Sequence, residues 1–131
     1  MKKLIVTILL MLPLLGMAQA HLGETEYAIK SYHPEATFKT GYDNDGQKYI
    51  YTDMALGNFT YYIDSDNLSH YNIQIPYDMK CVNAQVEIYN KKYVIVSGSK
   101  WKAYLEGGFI MYINLYYNTE SKLYYFAYSE Q

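Results

Sequence analysis

The chain of 131 residues has no arginine, one cysteine, three histidines and three prolines. Arginine clamps phosphate and carboxylate through two parallel bonds. Without it, and with a formal net charge of −2, the chain offers nucleic acid and anionic membrane surfaces little to hold. A single cysteine, Cys81, excludes an intramolecular disulfide, so the domain must be held by its core. The thiol reads as a small buried apolar side chain in preference to an intermolecular bridge.

The chemistry-bearing motifs are missing too. His21, His33 and His70 show neither H-x-x-x-H nor H-E-x-x-H spacing, so there is no zinc signature. If His21 were the mature terminus, its amine and imidazole together would suit copper, but a disordered end is the expected state. No G-x-S-x-G occurs; Gly98-Ser99 before Lys100 is the nearest. No glycine-rich loop follows a predicted strand, and nothing selects a facing pair among the thirteen Asp and Glu. The expectation is a protein that is not an enzyme, with no catalytic residues, metal ligands or cofactor to name. A small secreted hydrolase or metal-dependent enzyme is the alternative, and it requires Cys81, a histidine and an acid to converge.

Residues 1–20 read as a signal peptide. Lys2 and Lys3 precede the apolar run Leu4–Leu15, and Ala18-Gln19-Ala20 supplies small residues for cleavage after Ala20. The run is short for a membrane span of about 20 residues. No later stretch is apolar enough to cross, and no cysteine follows the run for lipidation. A single domain over 21–131, periplasmic or secreted, is the expectation. Removing two of the eleven lysines leaves nine against thirteen acids, a mildly acidic chain. Asn58-Phe59-Thr60 and Asn67-Leu68-Ser69 match a eukaryotic glycosylation triplet, which the bacterial style of the leader discounts.

What the chain has in excess is tyrosine, eighteen in all. The stretch Phe109–Tyr128 organises the reading. Phe109, Met111, Ile113, Leu115 and Tyr117 alternate with Ile110, Tyr112, Asn114 and Tyr116, a period of two that marks a strand covered on both faces. Asn118–Lys122 is a turn, and Leu123–Tyr128 returns, giving a C-terminal hairpin predicted at the centre of a sheet. Upstream, Gly23–His33 predicts a short helix stopped by Pro34. Ala36–Tyr42 and Gln47–Thr52 flank Asp43-Asn44-Asp45-Gly46, a hairpin signal. Gly57-Asn58 predicts a turn, and Asn58–Asp64 and His70–Ile75 predict strands. Tyr77–Asn90 predicts a second helix with Asp78 as cap and a stripe of Met79, Val82, Val86, Tyr89 and Tyr93. Tyr93–Ser97 is β-branched, Ser99–Glu106 is strand or helical turn, and Trp101 reads as a core anchor in preference to half of an exposed aromatic platform with Tyr104.

The order is helix then strands, twice, without residue-level repetition. Short turns between strands imply an antiparallel sheet with one or two helices on one face, an α+β domain.

Asp43-x-Asp45-Gly46 begins like a calcium loop, but Tyr49–Thr52 carries no carboxylate where the loop needs one. A hairpin turn is the preferred reading. Asp64, Asp66 and Asn67 form a second acidic turn, and the two would share a cation only by meeting in space.

Tyr32-His33-Pro34-Glu35-Ala36, the strands around the Asp-Gly turn and Tyr62-Ile63-Asp64 resemble the pattern of PepSY-like domains, small exported α+β modules with binding or inhibitory roles. The repeated helix-then-strands order also resembles beta-lactamase-inhibitor-like folds. Tyr89-Asn90-Lys91-Lys92-Tyr93 and Trp101-Lys102-Ala103-Tyr104 look like a group of small secreted bacterial proteins of no assigned function. The resemblance assigns no functional residues. The expected role is a non-catalytic module binding a protein or polysaccharide partner through a tyrosine-rich sheet face.

Overall fold

The computed structural model describes residues 21–130; the signal peptide expected over 1–20 lies outside them. The leading helix, α1, spans Glu26–Tyr32 and starts three residues later than the sequence suggested. Thr25 sets the start by accepting a hydrogen bond from the Ala28 amide at 3.2 Å, the usual work of an N-cap hydroxyl. Glu26 in its first turn pairs with Lys30 at 2.9 Å and with Lys48 of the sheet at 2.6 Å.

Four strands follow: β1 Lys39–Tyr42, β2 Lys48–Met54, β3 Gly57–Ile63 and β4 Ser69–Pro76. The β1–β2 turn is the expected hairpin. Asp43 Oδ1 accepts from the amides of Asp45 and Gln47, both at 2.9 Å, and Gly46 takes φ +82°. Gly57 does not form the next turn but opens β3. A Cβ there would lie 2.4 Å from the Ile75 carbonyl oxygen, so only glycine allows β4 to approach.

The second helix, α2, covers Met79–Lys92. Asp78 caps it as expected, accepting from the Cys81 amide at 2.9 Å. Lys91 and Lys92 lie in the last turn, where positive charge suits the helix dipole. The buried stripe is Val82, Gln85 and Tyr89, whereas Met79 is half exposed. Cys81 is only partly buried, beside Val82 at the start of the buried stripe.

The chain ends in β5 Val94–Ser97, β6 Lys100–Tyr104, β7 Ile110–Asn118 and β8 Leu123–Glu130. Ser99–Glu106 therefore resolves mostly into a strand. The terminal hairpin forms, its turn held by Asn118 Oδ1 accepting from the amides of Glu120 and Ser121.

All eight strands join one antiparallel sheet in the order β1-β2-β3-β4-β8-β7-β6-β5. The expected α+β class, with the same helix-then-four-strands order twice, is what the molecule shows, and the sheet dominates it. The last strands of the two halves, β4 and β8, pair at the centre, and β1 and β5 are the edges.

Register decides which side is buried. Trp101, Ile113, Tyr128, Asn72, Tyr61, Ile50 and Thr40 face one another in sequence across seven strands. All but Thr40 are essentially inaccessible. Ile29 of α1 packs with Ile50, Phe59, Tyr61 and Ile63. Val82 and Tyr89 of α2 pack with Trp101, Met111, Ile113, Phe126 and Tyr128. Both helices therefore lie on one face, and Trp101 is the core anchor the sequence suggested.

The two apolar clusters are separated along β4 by buried Ser69, Asn72 and Gln74. Gln74 Nε2 donates to Gln85 Oε1 at 3.0 Å, and the Tyr128 hydroxyl donates to Gln74 Oε1 at 2.7 Å. Tyr89 bonds the Tyr128 hydroxyl. Buried polar groups are tolerable when partnered in this way.

Candidate functional site

Alternation along each strand sends every second residue to the face opposite the helices. One register row there runs Gly41, Tyr49, Tyr62, Tyr71, Ser129, Tyr112, Lys102 and Val94. The sheet thus presents Tyr49, Tyr62 and Tyr71 side by side on three adjacent strands. Their ring centroids are 5.8 and 5.7 Å apart with planes tilted by 56° and 41°. Tyr51 extends the group, 5.8 Å from Tyr49. Across the terminal hairpin, Tyr116 of β7 and Tyr125 of β8 meet at 5.4 Å with a 38° tilt.

Tyr71 and Tyr116 are 41% and 47% exposed, and Tyr49, Tyr62 and Tyr125 are half-buried. Each ring covers its neighbour while its hydroxyl end remains reachable. Burial raises the Tyr62 hydroxyl above its ordinary pKa, with the charge of Asp43 adding to it. Burial and then Tyr125 do the same for Tyr71. Both hydroxyls therefore stay protonated at neutral pH and can donate.

The far half of the face carries positive charge. Lys100 Nζ lies 4.9 Å above the Tyr112 ring, and Lys102 Nζ 5.4 Å above that of Tyr104, both within cation–π range.

The residues singled out by sequence chemistry fall into separate places. The two acidic turns do meet, lining an open cleft of about 460 Å³ between Asp45, Gly46, Asp64 and Asn67. Lys48 also lines it, and Asp43 spends one oxygen on its own turn. Beside it, Asp64, Asp66 and His70 hold ligand atoms within 4.8 Å of one another. His70 already supplies the cation: Nε2 bonds Asp66 at 2.8 Å and Nδ1 bonds Glu130. Glu130 first and Asp66 second push its pKa up to about 9, so it is an imidazolium at neutral pH. The pairing with Glu130 joins β4 to β8 across 60 residues, a distance at which sequence spacing carries no signal.

His21 departs most from expectation. It is 2% exposed rather than loose. Its Nδ1 bonds Glu24 Oε2 at 2.5 Å, and its Nε2 lies 2.9 Å from His33 Nε2. A chelate of amine and imidazole at one residue uses Nδ1, and Glu24 occupies that atom here. The copper arrangement considered from sequence is therefore not the one found.

Cys81 sits at the start of α2 with its amide on Asp78. Among the described residues none of the three histidines hydrogen-bonds it, since each is engaged with the partners just named.

No family model matches the chain, and no curated protein or solved structure matches it.

Proposed function

We propose that this chain is an exported, non-catalytic binding module whose helix-free sheet face takes a protein partner. The leader-like residues 1–20 support export, with cleavage after Ala20. One observation carries the binding reading: the row of Tyr49, Tyr62 and Tyr71, half-exposed on a face over which neither helix packs. Pairing across strands gives such rings only about 0.2–1 kcal/mol per pair toward the fold, whereas exposed tyrosine supplies contact area with little side-chain entropy to lose.

The tilt between neighbouring rings favours protein over polysaccharide. A sugar ring stacks on a flat platform, and planes inclined by 41° and 56° do not form one. Half-buried Ile73 and Ile75 on the same face of β4 add apolar contact that a glycan would not use. The likeness to PepSY-like and beta-lactamase-inhibitor-like proteins points the same way, as a resemblance in element order.

The test compares Tyr62→Ser/Tyr71→Ser with Tyr27→Ser, an 83% exposed tyrosine of α1, in affinity capture from periplasmic extract. The double variant is expected to lose the captured protein while still folding cooperatively, and Tyr27→Ser to keep it. Equal capture by all three chains, or capture of polysaccharide alone, contradicts the reading.

A further inference from the structure

We propose that His21 and His33 form a binding site for one divalent transition-metal ion of the kind imidazole nitrogen prefers, with Zn(II) and Cu(II) as its chemical class. Three features of the geometry carry it.

The first is convergence. The two Nε2 atoms are 2.9 Å apart, and two facing imidazole nitrogens share a single proton between them. An ion in place of that proton ligates both. At the usual metal–nitrogen length of about 2.0–2.1 Å, a tetrahedral angle places the nitrogens about 3.3 Å apart. The pair needs to open by only roughly 0.4 Å. His33 is half-buried at the C-terminal end of α1, and the change asked of it is smaller than a rotamer step.

The second is orientation. Glu24 holds His21 Nδ1 at 2.5 Å, which fixes the proton on that atom and leaves the Nε2 lone pair toward His33. A carboxylate behind a histidine is the usual outer shell of a metal ligand. The ring is further held by Tyr32 and Tyr61, with centroids at 5.1 and 5.6 Å.

The third is charge. Glu24 bonds the His21 ring directly, so a dication at the pair has negative charge close by. At the acidic cluster around His70, both ring nitrogens already bond carboxylates and no imidazole nitrogen faces another. Open positions on the ion are left for water. The pair packs on the helix-covered side with Tyr61, so the site is independent of the tyrosine face.

Zn(II) and Cu(II) are titrated separately into the metal-free full chain, with calorimetry for affinity and the histidine ring-proton NMR signals for place. One equivalent is expected to bind and to shift His21 and His33 while leaving His70 unmoved. His33→Ala should weaken binding at least tenfold, Glu24→Gln about 10- to 100-fold, and His70→Ala not at all. No binding at micromolar metal, equal affinity in His33→Ala, or shifts confined to His70 would each overturn the proposal. The NMR arm uses the unaltered chain, so it decides even where a variant fails to fold.

Discussion

His70 shows how far a single side chain reaches beyond its place in the sequence. It looked like an isolated histidine in a strand, yet it joins Asp66 of its own turn to Glu130 at the other end of the chain. Its folded pKa of about 9 stands above the ordinary value of 6.5. The unfolded chain therefore releases that proton at lower pH than the folded one, so the stabilisation is complete below about pH 6.5 and is lost as pH rises through 9. Thermal melts of the native chain and His70→Asn are expected to differ most at pH 6 and to converge by pH 9.5. A gap independent of pH would show that the ion pairs contribute nothing. His21 was misjudged from sequence for a related reason. Its burial depends on Glu24, His33, Tyr32 and Tyr61 closing round it, and no local pattern announces such a gathering.

At the scale of elements, alternation and turn chemistry were legible. The terminal hairpin, the Asp43–Gly46 turn and the Asp78 cap all stand where period and residue type put them. Boundaries shifted where a tertiary contact decided them: Gly57 moved from turn to strand because Ile75 comes so near. In α2 the expected stripe holds at Val82, Val86, Tyr89 and Tyr93, which pack on the core, but it included half-exposed Met79 and missed one buried residue. A glutamine at position 85 scores as polar, yet it is 2% exposed and bonded to Gln74. Gln85→Leu is expected to cost about 1–3 kcal/mol, because the Gln74 amide loses its buried acceptor; denaturant melts measure it, and a neutral result would contradict the role of the bond. Asp78→Ala should cost about 1 kcal/mol through loss of the α2 cap, read from the same melts.

The whole molecule is two helix-then-four-strands halves joined along β4 and β8. The repeated order could be seen in the sequence, but the joining edge could not, since many strand orders satisfy the same run of hairpins. The central pairing makes one continuous sheet, with both helices on one side of it. Trp101→Ala should cost about 3–5 kcal/mol by emptying the core on that side, while substitutions among Tyr62, Tyr71 and Tyr116 should cost only about 0.2–1 kcal/mol per lost ring pair. An equal loss of stability from both groups would mean the tyrosines serve the fold. Eighteen tyrosines in the sequence fitted a thin sheet with half-exposed faces as well as a contact surface; which of them share a face required the register. The most direct measurement is site-specific photocrosslinking in periplasmic extract, with the reactive group at Tyr71 in one chain and at Glu87 on the outer side of α2 in another. The account predicts one discrete protein adduct from position 71 and none from position 87. No adduct at 71, or the same adducts from both positions, would contradict it.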